Sequence, residues 1–144
     1  MREILFKAKR IDNGKWVVGY YCKWLKGERI ITYSEKETDC IITWMSNGGM
    51  SRYEVDPETL CQFTGLCDRY GNKIWENDIV TCQTRYGGDI GKVVFHNGKF
   101  CVLRNSTYHY SRNGECENYY NINTKNSVKG NVFDNPELLQ EEHK

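Results

Sequence analysis

Alanine is almost missing from this chain: Ala8 is the only one in 144 residues, and proline occurs just twice. Alanine is the best helix former, whereas the ten tyrosines and four tryptophans favour strands, so the balance tilts towards β structure. With 39% hydrophobic and 27% charged residues the composition is globular, which excludes collagen-like and low-complexity readings. No apolar run approaches the roughly 18 residues of a membrane helix. The opening "MREILFKAKR" puts charges where a signal peptide needs an apolar core, so no leader is expected and the chain reads as soluble. No C-x-x-C joins the seven cysteines Cys22, Cys40, Cys61, Cys67, Cys82, Cys101 and Cys116, and the spacing of Cys61 and Cys67 does not suit a zinc knuckle. Reduced thiols in a cytoplasmic protein are expected rather than disulfides or zinc. One-sided charge is missing as well, the net being +1. Holding duplex nucleic acid by phosphate neutralisation calls for a more basic chain, although charges can segregate to one face.

What is present reads as short strands and tight turns. "EILFKAKRIDNGKWVVGYYC" predicts a β-hairpin, because both central residues of a type I′ turn need positive φ and Asn13-Gly14 supplies them. If Asp12 faces Lys15, Phe6 faces Tyr21 and Ala8 faces Gly19. One face then carries Ile4, Phe6, Ala8, Val17 and Tyr21; the other carries Trp16, Val18 and Tyr20 with Lys7 and Lys9. Aromatics on both faces call for a covering layer from the same chain or from another subunit. "ERIITYS" and "DCIITWM" predict two further strands with "EKETD" as a charged link, and "SNGGMS" a break. "VDPETL" predicts a short turn capped by Asp56 with Pro57 behind it, and "DNPELL" repeats the device with Asn135 and Pro136.

Downstream, "DRYGNK" predicts a turn, "DIVTC" a strand and "RYGGDIG" a glycine-rich bend. "GKVVFHNGKFCVL" predicts a second Asn-Gly hairpin in which Phe95 faces Phe100 and Val93 faces Val102, giving one apolar core face. Short strands that must bend sharply suit a small SH3-like barrel. The polar stretch 104–126 predicts a long hairpin or a loop, "VKGNVF" a last strand, and the tail after Leu139 a frayed end.

"REILFKA", "VDPETLCQFTGLCDRYGNKIWENDIV", "GKVVFHNGKF" and "GNVFDNPELL" together resemble the YopX family of Gram-positive phages and prophages, in the family's order and over nearly the whole chain. The resemblance implies a β-rich phage protein of the bacterial cytoplasm with no assigned activity, and it brings no catalytic residues to transfer. Two departures are informative. The family tends to have glycine between the two acids where this chain has Asn77, which implies a left-handed backbone or a bulge there. Lys9 also stands where the family usually has an aromatic.

Four constellations could carry chemistry. Glu76 and Asp78 share a face at i and i+2, but acids entering a strand more often accept backbone N–H bonds than work across a cleft. His96 and Cys101 are diagonal neighbours in the second hairpin, without an oxyanion site or an orienting partner. With His109 and His143 the remaining histidines, no metal site is expected. The G-G-x-x-G of "RYGGDIG" lacks the Lys-Ser/Thr of a P-loop. Finally, Tyr108, Tyr110, Tyr119 and Tyr120 interleave with Arg104 and Arg112, a pattern that stacks unpaired bases or packs on the protein itself.

The expected architecture is mostly β: an N-terminal antiparallel sheet of about four strands over 1–65, and a C-terminal SH3-like barrel with a last strand and capped turn over 66–144. The expected function is non-enzymatic, through protein–protein contacts with phage or host proteins and as a homo-oligomer, with no cofactor, no metal and no membrane. The alternative is single-stranded nucleic-acid binding through the late tyrosines and their arginines.

Overall fold

In this computed structural model residues 2–26, 36–84, 87–104, 119–123 and 125–140 are described. They hold eleven strands and two short 3₁₀ turns. The strands are β1 (Phe6–Lys9), β2 (Trp16–Lys26), β3 (Lys36–Trp44), β4 (Met50–Glu54), β5 (Cys61–Cys67), β6 (Lys73–Trp75), β7 (Asp78–Thr84), β8 (Gly87–His96), β9 (Lys99–Arg104), β10 (Tyr119–Asn121) and β11 (Val128–Asn131). They form two antiparallel sheets, ordered β4-β3-β2-β1-β5-β6 and β10-β9-β8-β7-β11. The polypeptide divides into two compact units, Met1–Phe63 and Thr64–Lys144.

In the first unit β1 and β2 pair with Phe6 opposite Gly19, Ala8 opposite Val17 and Lys9 opposite Trp16. The expected register of Phe6 with Tyr21 is therefore off by two residues. The cause lies in the loop. Gly14 has positive φ but Asn13 does not, so no two-residue type I′ turn forms. The loop spans four residues instead, closed by the Arg10 N–H donating to the Lys15 carbonyl at 2.9 Å. Asn13 Oδ1 accepts from the Lys15 N–H inside it, and Arg10 pairs with Asp12. Side chains alternate with period two, so a slip of two keeps every residue on its expected face. Ala8, Ile41 and Val55 form the buried core, with Phe6, Val17, Tyr21 and Leu60 packed on it.

β2 changes partner along its length. It pairs with β1 as far as Gly19 and with β3 from Tyr20 onwards. The end of β4 returns to β1 through an isolated bridge between Arg10 and Val55 and a bond from the Ile11 N–H to the Glu54 carbonyl. "EKETD" is not a link: Glu37, Thr38 and Asp39 belong to β3. Their polarity is accommodated because Glu37 meets Lys23 at the surface and Asp39 accepts the Tyr21 hydroxyl. "ERIITYS" lies outside the described residues, while β4 and β5 arise where no strand was expected. Between them Asp56 caps the first 3₁₀ turn as expected, its carboxylate accepting from the Glu58 N–H at 3.0 Å. Asn135 does not cap the second; its Oδ1 accepts from the Asn131 N–H, back along the chain.

In the second unit Asn97 and Gly98 both have positive φ, 49° and 79°, and the type I′ hairpin forms in the expected register, Val93 opposite Val102 and Phe95 opposite Phe100. Its apolar face is only half core. Val93 and Val102 are fully buried with Ile74, Val80 and Cys82. Phe95 is exposed, its ring set edge-on to Phe100, because the β7–β8 ladder reaches only as far as Ile79 opposite Lys92 and does not extend along the hairpin tip. Of the glycine-rich "RYGGDIG", the first two residues lie outside the described residues, and residues 87–91 run as the first half of β8 rather than as a bend. A β-carbon on Gly91 would strike Val102 and the Leu103 carbonyl, so a glycine inside this strand marks close approach rather than a turn. β10 and β11 are the sheet's edges, and among the described residues no ladder joins them.

Asp68 ties this unit together. It is buried, and one oxygen accepts from the Tyr70 and Asn72 N–H groups while the other accepts from Asn72 Nδ2 and, across 60 residues, from the Val128 N–H of β11 at 3.0 Å.

Candidate functional site

Alternation along β2, β3 and β4 sends every second side chain away from the first unit's core. Tyr20 lies opposite Ile42, which lies opposite Arg52; Trp24 lies opposite Thr38; Trp44 lies opposite Met50. The outer face so defined exposes Val18, Tyr20, Trp24, Trp44 and Met50, with Tyr20 50% and Trp44 66% accessible. Cations stand over its indoles: Lys7 Nζ is 4.6 Å and Lys9 Nζ 5.4 Å from the Trp16 ring, and the Arg52 guanidinium is 4.1 Å from that of Trp24. Each such contact contributes roughly 0.5–1 kcal/mol at an exposed site and holds the rings in place. Lys9 thus serves as a cover for Trp16. Val18 and Tyr20 were readable from the first hairpin. Met50 and Arg52 were not, because their place on this face depends on β4, whose "MSRYE" carries one β-branched or aromatic residue only.

The acids of 76–78 are a turn-to-strand junction. Asp78 is buried and accepts the Trp75 N–H at 2.8 Å, while the Asn77 N–H donates to the Val93 carbonyl. Asn77 has φ of 68°, the left-handed value expected where the family prefers glycine. Asn77→Gly should therefore leave stability unchanged or raise it slightly, and Asn77→Val should cost about 1–3 kcal/mol, read from urea denaturation. Equal stability of the two variants would contradict that assignment.

His96 and Cys101 occupy the expected positions, opposite Lys99 and Val94. No hydrogen bond joins them. His96 stacks on Tyr119 at 3.9 Å between ring centroids, and burial pushes the Cys101 thiol up, away from the thiolate a nucleophile needs. Burial likewise raises Cys82 to about 11. All six described cysteines are free thiols, and among the described residues no group of three or more His, Cys, Asp or Glu has a metal-holding arrangement.

The late tyrosines are divided. Tyr108, Tyr110 and Arg112 lie outside the described residues, as do His109, Cys116 and His143. Arg104 is only 9% exposed, paired with Asp89, and donates to the Tyr120 hydroxyl at 3.4 Å. A guanidinium so committed is withdrawn from any nucleic-acid backbone, and Tyr119 is already stacked.

The chain matches the model of the YopX protein family over residues 8–140. It belongs to the YopX family. Its fold is similar to that in the crystal structure of protein EF1440 from Enterococcus faecalis, with a TM-score of 0.50 at 18% identity, covering 97% of this chain and 100% of that one. Among curated proteins none matches the chain. No helix among the described residues is long and apolar enough to cross a membrane.

Proposed function

We propose that the protein works without catalysis, by protein–protein contact, and that its first contact is with a second copy of itself through the outer face of β2, β3 and β4. The exposed Tyr20, Trp24, Trp44 and Met50 carry this reading, since aromatics and Met are what protein interfaces use at their centres. The same reading makes the chain a phage or prophage product of the bacterial cytoplasm that uses no cofactor. It also includes an SH3-like closure of the second unit, supported by five short strands, the close approach at Gly91 and the register shift between Val128 and Gly130. Nucleic-acid stacking by the late tyrosines has less support, because Tyr119 and Arg104 are engaged within the protein.

Light scattering tests it. The wild type should elute as a dimer or higher species, and Tyr20→Glu with Trp44→Glu should shift it to monomer, weakening association at least about tenfold, as loss of interface anchors does. A strictly monomeric wild type, or an unchanged mass in the double variant with the fold intact by circular dichroism, would sink the proposal.

A further inference from the structure

A groove of about 390 Å³ opens on the second unit, remote in sequence from the aromatic face, and its lining includes Arg69, Tyr70, Thr81, Lys125, Ser127 and Lys129. The three cations come from three segments: the 68–72 turn, the loop before Ser127, and β11. None has a carboxylate partner among the described residues. The nearby acids are already satisfied, Asp68 by its four hydrogen bonds and Asp89, which also lines the groove, by Arg104. Among the described residues the three cations therefore outnumber the carboxylates that could answer them. A net charge of +1 conceals this, because the imbalance is local.

Two further observations point to a ligand. Ser127 is only 7% exposed, yet its hydroxyl has no hydrogen-bond partner among the described residues. A buried hydroxyl is normally paired, so an unpaired one at a groove wall invites an acceptor from outside. The neighbouring Thr81 hydroxyl accepts from the Ser127 N–H at 3.1 Å and keeps its own hydrogen to donate. At the rim Tyr70 is 72% exposed, with the Arg69 guanidinium 6.0 Å from its ring centroid. An accessible ring beside a guanidinium is a stacking platform for an unpaired base.

We propose that this groove binds single-stranded nucleic acid, seating one nucleotide of the strand, with Arg69, Lys125 and Lys129 on its phosphate and those of its neighbours, Ser127 and Thr81 donating to phosphate oxygens, and one base on Tyr70. The volume lies at the low end of the roughly 300–1,000 Å³ of small-ligand sites, room for about a nucleotide rather than a duplex. The site goes beyond the self-association reading and uses none of its residues.

Fluorescence anisotropy of a labelled oligothymidylate with the full chain at low salt tests it. Binding should weaken as salt rises, and Arg69→Ala/Lys125→Ala/Lys129→Ala should lower affinity at least tenfold and reduce the log–log salt slope by about 2, from about 0.7 per lost phosphate contact. Tyr70→Ala should cost on the order of tenfold. Lys23→Ala, which removes a cation of the other unit that faces Glu37 at 3.6 Å, should change nothing. Inorganic phosphate and duplex of the same sequence should compete at least tenfold less well than unlabelled single strand at equal phosphate concentration. The monomeric Tyr20→Glu/Trp44→Glu variant should bind as the wild type does, which separates this site from the self-association surface. Absence of binding at low salt, unchanged affinity in the triple variant with an unchanged melting temperature, or equal competition by phosphate or duplex would overturn the proposal.

Discussion

Gly19→Ala is expected to cost about 3 kcal/mol of the first unit's stability, the upper end of what a single added methyl does in a packed site. A β-carbon at Gly19 would overlap the Ile42 carbonyl oxygen and stand 3.0 Å from both the Ile42 carbonyl carbon and Ile41 Cγ2. Two of those three atoms are backbone, and Ile42 belongs to the ladder in which Tyr20 pairs with it. Relief therefore requires moving β3 away from β2 at the point where β2 passes from one partner to the other. Gly14→Ala is the control. Its φ of +69° makes any side chain strained, but nothing lies within 4 Å of the new carbon, so the cost should be about 1 kcal/mol. Urea denaturation followed by tryptophan fluorescence separates the two, and a Gly19→Ala loss no larger than that of Gly14→Ala would count against this account. The folded fraction of Gly19→Ala should also associate less, because Tyr20 and Ile42 sit directly on the disturbed ladder.

The same glycine shows where sequence patterns run out. Period-two alternation placed Phe6, Ala8, Val17 and Tyr21 on one face and Val18 and Tyr20 on the other without saying which is buried, and a register two residues out did not disturb that division. The Asn97-Gly98 tip was readable to the residue, since two consecutive positive φ values have few sequence solutions. Asn13-Gly14 looks identical locally, yet Arg10, paired with Asp12 and bonded to the Lys15 carbonyl, holds a wider loop. Asn77 was readable because asparagine in place of glycine has one main physical meaning. Non-local closeness was not. Nothing in "MSRYE" says that β4 will pair with β3 and complete the aromatic face. The late tyrosines were read as stacking unpaired bases or packing on the protein itself, with no partner named; Tyr119 is spent on His96 and Arg104 on Asp89, contacts decided by register between β8, β9 and β10. The basic groove was invisible for the same reason: Arg69 and Lys129 lie 60 positions apart, and their segments are joined by Asp68, which accepts from the Val128 N–H, and by the Arg69 N–H donating to the Asn126 carbonyl.

Asp68→Ala should therefore be the most damaging polar change in the second unit, costing about 3 kcal/mol, because it strands donors on both the 68–72 turn and β11. Asp68→Asn should cost less, since one amide oxygen can still serve Tyr70 and Asn72 while the amide nitrogen meets the Val128 N–H. The carboxylate also gives stability a pH dependence of known sign. Burial by itself raises its pKa, but the bonds from Val128, Asn72 and Tyr70 outweigh burial and hold it below the ordinary 3.8. The unfolded chain then takes up the proton more readily than the folded one. The contribution of Asp68 is complete above about pH 5 and is lost as pH falls below about 4 through the lowered folded value. Urea midpoints between about pH 3 and pH 6 should fall more steeply for the wild type than for Asp68→Asn at the acid end, with the two curves parallel above about pH 5. Parallel curves throughout would mean that Asp68 is not held as a carboxylate, and the link between the turn and β11 would need another cause.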